Sequence, residues 1–332
     1  MLKFENASYE TKNEVLSYFE KIRSRELIRL YTSGSTGAPS PVDLQPPFLE
    51  RAARDTNAFF GLGRGTKALL CLPVDKVGGL MMLARALYGR FSLTVTDPRA
   101  RPLEQVEGDF DFVSMVPYQA LESGPALKRV KTLLLGGAPL PPGWQPPAGP
   151  TVYQSYGMTE TLSHVALRNY KSSEDQAYQA LPGVEFSQDA HHCLIIHAPK
   201  RGVHHLPTRD VVELLEGGKC FFLKGRRDNA INSGGLKFFP ETLEAKLAEM
   251  PLPFFITGMP HERLGEALTL VVEGEEAGKE PAIKQAAEVL TGREKLRMAY
   301  RLPRFDYTES GKLHRRRTRE RLLAGEGVNL NW

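Results

Sequence analysis

Residues 32–37 read Thr-Ser-Gly-Ser-Thr-Gly, a hydroxyl-rich and glycine-rich loop directly after the apolar run Leu27–Tyr31. Glycines let backbone N–H groups close on an anion and hydroxyls add donors, so Thr32, Ser33, Gly34, Ser35, Thr36 and Gly37 form a candidate phosphate cradle. A P-loop needs Gly-Lys followed by Ser or Thr. Here Gly37 leads into Ala38, Pro39 and Ser40, and the required tripeptide occurs nowhere in the chain, which excludes that class. The Gly61–Gly65 cluster has Thr66 at the third glycine position of a dinucleotide fingerprint and follows a helical segment, so it reads as a helix-ending turn. Three later stretches add chemistry. In Gln154–Thr161 an aromatic ring stands beside a glycine turn and a lone carboxylate, a set able to stack on a base and hold a metal near phosphate oxygens. Leu223–Glu244 joins a basic turn to a second glycine loop, and Ser310–Arg317 puts Lys312 behind a flexible Ser-Gly.

In this order and at these distances the four stretches, spanning residues 31–317, resemble the motifs of the adenylate-forming superfamily, which includes acyl-CoA synthetases, adenylation domains of peptide synthetases and luciferases. The resemblance implies that Thr32–Gly37 closes over the β- and γ-phosphates of ATP. It implies that Gly136 and Gly137 line the acyl pocket and the adenine face, that Tyr156 beside Gly157 stacks on adenine, and that Thr159 donates to the α-phosphate. Glu160 would help bind Mg²⁺, for which one carboxylate suffices when triphosphate oxygens and water supply the other ligands. Asp210, in LPTRD where the family has Thr-Gly-Asp, would accept from the ribose hydroxyls, and Arg226 would add a ribose or phosphate contact. Asp228 would be the hinge. Lys312 would bridge the substrate carboxylate and the α-phosphate as negative charge accumulates there. The implied reaction has two halves: a carboxylate attacks MgATP to give an acyl-adenylate and pyrophosphate, then the small domain swings and the Ser233-Gly234-Gly235 loop lines a channel for coenzyme A. Ser40 stands where the family loop ends in lysine, and Arg209 where it has glycine.

Within the superfamily, a compact frame and two substrate-side stretches resemble the o-succinylbenzoate–CoA ligases of menaquinone synthesis. Residues 71–87 (CLPVDKVGGLMMLARAL) match the Leu-Pro to Gly-Gly segment, including Gly79, with Lys76 where histidine is common. Residues 156–168 place Thr161, Ser163 and His164 after the adenylate motif. An acid with two carboxylates needs a second anchor, and Lys76 would supply it while Ser163 and His164 act as neutral donors, directly or through water. Other acyl- or aryl-CoA ligases and carrier-protein-loading enzymes keep the same nucleotide residues. A nucleic-acid-binding module built on the basic tail and a non-catalytic relative are the readings from other classes.

The elements that must position these residues follow from composition and periodicity. The chain has 332 residues, 41% apolar, and 43 Lys plus Arg against 39 Asp plus Glu. A net charge of +4 is too small to argue for a nucleic-acid partner. Cys71, Cys193 and Cys220 are odd in number and scattered, which suggests neither a disulfide framework nor a zinc site and fits a cytoplasmic location. The N-terminus lacks an apolar signal region, and no apolar run is long enough to span a bilayer. Helical spacing predicts helices over 11–24, 49–60, 79–88, 240–250 and 282–290, and apolar runs predict strands at 68–73, 91–96, 112–116, 132–135, 151–154, 254–258 and 268–273. The methionines of 79–88 read as core filling. Ala138–Pro150 is too proline-rich for helix or central strand and reads as a surface loop. The alternation argues for an α/β fold with a largely parallel sheet. In the family's terms this is a large N-terminal domain of layered sheets and packed helices, residues 1–227, with a small mobile α+β domain, residues 228–332. The expected partners are a small carboxylic acid, ATP and CoA, acting on a monomer or homodimer.

Overall fold

The computed structural model describes residues 1–32, 40–138, 140, 144–170, 177–275, 280–307 and 313–330. The chain begins with β1 (Leu2–Phe4) and α1 (Tyr9–Arg23). The helix starts before residue 11 because Ser8 caps it, its hydroxyl accepting the Thr11 N–H at 3.2 Å. β2 (Ile28–Tyr31) and β3 (Pro41–Leu44) pair antiparallel as a separate ribbon, and the Thr32 N–H donates to the Ser40 carbonyl at 3.0 Å. α2 (Pro46–Phe60) opens on two prolines, whose missing N–H groups would have found no helical acceptor, and ends at Gly61 with φ +66°.

Strands and helices then alternate: β4 (Lys67–Leu70), α3 (Val77–Gly89), β5 (Ser92–Val95), β6 (Phe110–Met115), α4 (Pro117–Ser123), β7 (Val130–Leu135) and β8 (Thr151–Met158). Their spatial order β1-β5-β4-β6-β7-β8 is parallel throughout. Leu69, Val113, Leu133 and Leu135 face the α4 side, while Ala68, Leu70, Phe112 and Leu134 face α2 and α3. Burial on both faces is why these strands read as continuous apolar runs. α3 is buried at every position from Gly79 to Ala86, so the two methionines fill the core as the composition suggested.

Beyond β8 the sheet changes character. β9 (Ser163–Asn169), β10 (Tyr178–Ala180), β11 (Glu185–Gln188), β12 (Cys193–Ala198), β13 (Val203–Leu215) and β14 (Cys220–Arg226) extend it antiparallel in the order β9-β10-β14-β13-β12-β11. The expectation of a largely parallel sheet therefore needs correction: among the described residues one twelve-stranded sheet is half parallel and half antiparallel. Short returns from 158 onward leave no room for the crossovers that parallel neighbours require.

A second sheet contains β15 (Ile231–Ser233), β16 (Leu236–Phe238), β17 (Phe254–His261), β18 (Gly265–Glu273), β19 (Met298–Leu302) and β20 (Val328–Asn329), with α5 (Pro240–Lys246), α6 (Glu280–Val289) and α7 (Arg315–Leu323) around it. α5 stops before residue 250, because Leu247 leaves the helical region and Pro251 disfavours helix at its predecessor. The Thr242 hydroxyl donates to the Lys224 carbonyl at 2.6 Å, tying α5 to β14 of the first sheet.

Candidate active site

The C-terminal ends of β7 and β8 carry one group of candidate residues, as expected for an open α/β sheet. Gly136 directly follows β7, and a side chain there would lie 2.4 Å from the Ser155 hydroxyl; Gly137 has φ +81°. Tyr156 of β8 donates its phenol to Asp210 Oδ2 at 2.6 Å, and Arg226 Nη1 lies 3.3 Å from Asp210 Oδ1. Asp210 and Arg226 are register partners on β13 and β14, so three strands deliver this cluster. Burial first, then Asp210, pushes the Tyr156 phenol well above its ordinary pKa. Its ring is already packed, 8% exposed and 5.0 Å edge-on from Phe221, so the face expected to stack on adenine is largely lodged in the core.

Thr159 and Glu160 form the short helical turn after β8, and Glu160 is exposed. Among the described residues no group of three metal-ligating side chains exists, yet a lone open carboxylate matches a Mg²⁺ whose other ligands come from phosphates and water. Asp228, the expected hinge residue, is held by Arg209 at 3.2 Å and Arg226 at 3.3 Å, so the arginine that stands where a glycine was expected finds a partner. Ser233 ends β15, and Gly234 and Gly235, with φ +58° and +80°, form the two-residue hairpin turn into β16. Ser33, Gly34, Ser35, Thr36, Gly37 and Lys312 lie outside the described residues. Their described neighbours Thr32 and Ser40 are bonded to each other, and Tyr307 and Leu313 form an antiparallel bridge.

The second group lies where β8 turns into β9. A side chain at Gly157 would stand 2.1 Å from the Ser163 carbonyl, so this glycine lets the strands approach. Thr161 is fully buried; its hydroxyl accepts the Met158 N–H at 3.0 Å and donates to the Ser163 carbonyl at 2.6 Å. Both hydroxyl functions are thus engaged in holding the turn. His164 is 3% exposed, with Nε2 3.2 Å from the Thr56 hydroxyl and Nδ1 3.4 Å from the Ser163 hydroxyl. Burial, then Arg85 and Arg201, drives its pKa well below the ordinary value, so it is neutral and engaged with protein rather than open to substrate.

Lys76 does not join this group. Its side chain is 59% exposed and its ammonium sits 2.9 Å from neighbouring Asp75. Gly79 serves packing, since a side chain there would meet the Pro73 carbonyl at 2.2 Å. The cation beside Ser163 is Arg85, further along α3 and 1% exposed. Its Nη2 lies 3.4 Å from the Ser163 hydroxyl, its Nε has no partner, and among the described residues no carboxylate pairs with it. Burial, then Arg201, lowers its pKa to about 9, which still leaves it charged at neutral pH. Arg201 is buried as well, donating to the His164 carbonyl at 2.7 Å and to Asp55 at 3.1 Å. The available sequence signal for Arg85 was one arginine inside the apolar helix LMMLARAL.

The AMP-binding enzyme family matches residues 24–187. The 2-succinylbenzoate–CoA ligase of Salmonella typhimurium is 29% identical over 263 residues, covering 73% of this chain, which spans 57% of that relative's length. The o-succinylbenzoate coenzyme A synthetase of Bacillus subtilis, solved in complex with ATP and magnesium ion, shares the fold with a TM-score of 0.69 at 20% identity, over 88% of this chain and 69% of that one. The crystal structure of an acyl-CoA synthetase (AMP-forming)/AMP-acid ligase II-like protein from Dyadobacter fermentans is 34% identical, covers 96% of both chains and has a TM-score of 0.60. Joined to the paired Tyr156, Asp210 and Arg226 at the strand ends, this likeness over almost the whole length identifies the chain as a member of the AMP-binding enzyme family.

Proposed function

We propose that the chain is an ATP-dependent acid–CoA ligase acting on o-succinylbenzoate, with a boundary near residue 227 separating a nucleotide- and acid-binding domain from a smaller domain that carries Lys312. The acid's carboxylate attacks the α-phosphate of ATP and displaces pyrophosphate, with Lys312 and Thr159 countering the developing charge; Glu160 would hold Mg²⁺, which would supply neutralisation of phosphate charge. Asp210 and Arg226 take the ribose, and the Thr32–Gly37 loop covers the leaving pyrophosphate. The small domain then turns about Asp228, and CoA, entering past Ser233, Gly234 and Gly235, attacks the acyl carbonyl of the adenylate through its thiol, forming the thioester as the acyl–phosphate bond breaks and AMP leaves.

The observation that carries the choice of acid is Arg85. A guanidinium removed from water with no carboxylate opposite it is costly unless an anion arrives. A dicarboxylic acid brings one, because the group that is not activated remains charged. Arg85, with Ser163 beside it, therefore replaces Lys76 as the proposed anchor. Pyrophosphate release across a panel of acids, followed by detection of the CoA thioester, tests the reading. Release with o-succinylbenzoate and not with a fatty acid of similar length is expected, and silence with o-succinylbenzoate ends the proposal for that substrate.

A further inference from the structure

We propose that Thr56 of α2 is a positioning residue that fixes the tautomer of His164 and, through it, the direction in which Ser163 and Arg85 meet the acid; this rests on the function proposed above. The Thr56 hydroxyl lies 3.1 Å from the Ala52 carbonyl and 3.2 Å from His164 Nε2. A carbonyl only accepts, so the single hydroxyl hydrogen goes to Ala52, one helical turn back, and the oxygen is left to accept from Nε2–H. His164 is then protonated on Nε2 and bare on Nδ1. The Ser163 hydroxyl, 3.4 Å from Nδ1, donates to it and turns its lone pairs toward Arg85 Nη2, also at 3.4 Å. Every bond in this chain has one direction. With the opposite tautomer Nδ1–H would donate to Ser163, freeing the serine hydrogen to face the Arg85 donors.

Helix α2 grips the same histidine a second time. Asp55, next to Thr56, accepts from Arg201 Nη2 at 3.1 Å, and Arg201 Nη1 donates to the His164 carbonyl at 2.7 Å. Adjacent residues of one helix thus hold both the ring and the backbone of His164. The clamp sits beside two non-glycine residues in the left-handed region, Leu162 at φ +53° and Ser163 at φ +83°. Such backbone persists only where its surroundings over-determine it, and here the result is a serine aimed at an arginine that has no carboxylate partner among the described residues.

The test uses the full chain and three variants. Nitrogen NMR of histidine-labelled protein, with His164 assigned among the eight histidines by its loss in His164→Gln, is expected to show Nε2 protonated and Nδ1 bare. Thr56→Val, which keeps shape and removes the oxygen, should convert that signature to a mixture or the opposite tautomer and raise KM for o-succinylbenzoate about 10-fold, with KM for ATP unchanged. Thr56→Ser should restore both, which a purely volumetric role would not require; if the valine variant fails to fold, the native and serine spectra still decide the tautomer. A native Nδ1–H tautomer, or a valine variant that leaves the His164 signals unmoved, overturns the proposal. So does a valine variant that raises KM for ATP and acid alike. Absence of pyrophosphate release by the unmodified protein with o-succinylbenzoate overturns the substrate reading instead, and the NMR result judges Thr56 independently of it.

Discussion

The two halves of the candidate site, the one proposed to take the nucleotide and the one proposed to take the acid, differ in how their charges are balanced. On the nucleotide side the Asp210 carboxylate receives Tyr156 on one oxygen and Arg226 on the other, and Arg226 also reaches Asp228. Arg209 pairs with Asp228 in turn, so this set of two carboxylates and two guanidiniums is neutralised within the protein. On the acid side Arg85 and Arg201 flank a neutral histidine, and Asp55 is the acidic partner of Arg201. Arg85 is left uncompensated among the described residues. A balanced cluster is organised before its ligand arrives and contributes mainly orientation, whereas an unbalanced one gains most from a ligand of opposite charge.

Four substitutions and one pH series put this contrast to the test. Lys312→Ala should have the largest effect, lowering adenylation about 10²–10³-fold whichever half of the site is saturated, because the lost interaction is made chiefly in the transition state. Pyrophosphate release kinetics measure it, and equal activity in the variant would refute the assignment. Arg85→Met should raise KM for o-succinylbenzoate about 10–100-fold with little change for ATP, since a charge-assisted contact to a desolvated carboxylate is lost. The same variant should unfold no more easily than the parent, and by up to about 1–3 kcal/mol less easily, because an unpaired buried charge has been removed. A large loss of stability in urea would show that Arg85 is structural.

Asp210→Asn should raise KM for ATP about 10-fold and leave the acid's unchanged, the mirror image of Arg85→Met. If both constants moved together in either variant, the two halves would not be separable. The smallest effect expected is on stability against pH. His164 is buried neutral with its pKa depressed, so the unfolded chain binds a proton below about pH 6.5 that the folded chain does not. Stability should therefore be level above that pH and fall below it by about 1.4 kcal/mol per unit from this group, and His164→Gln should remove that part of the slope. Urea denaturation between pH 7 and pH 5.5 reads the difference.

The contrast also separates what the sequence conveyed from what it hid. Tyr156, Asp210 and Arg226 stood out because each lies in a short motif with turn or strand character, and the structure brings them within hydrogen-bond distance. The acid side is assembled from residues whose neighbours in sequence say little. Thr56 lies inside an ordinary amphipathic helix, Arg201 in a turn, and Arg85 in a run that reads as pure core. Lys76 drew attention by position in a motif, but it precedes the helix and turns toward Asp75. The parallel half of the sheet was legible from alternating helices and apolar runs. In the antiparallel half the short β runs CLIIHA, VVELLE and KCFFLKG were legible and fall at β12, β13 and β14, but their pairing was not, because strand order and register are set by partners far along the chain.

The reversal between β8 and β9 has a consequence for inheritance. Tyr156 ends one half of the site and Ser163 begins the other, so residues 157–162 serve as a gauge fixing both halves at once. Inserting one residue there would turn β9 by one face, carrying Ser163 away from Arg85 and His164 out of the core together. Substitution within the loop is a local matter, but a change in its length is felt by both groups of residues alike. Descendants of this chain are thus free to exchange side chains on α2, α3 and β9 around the proposed acid-binding residues, and are far less free to add or delete a residue at this bend.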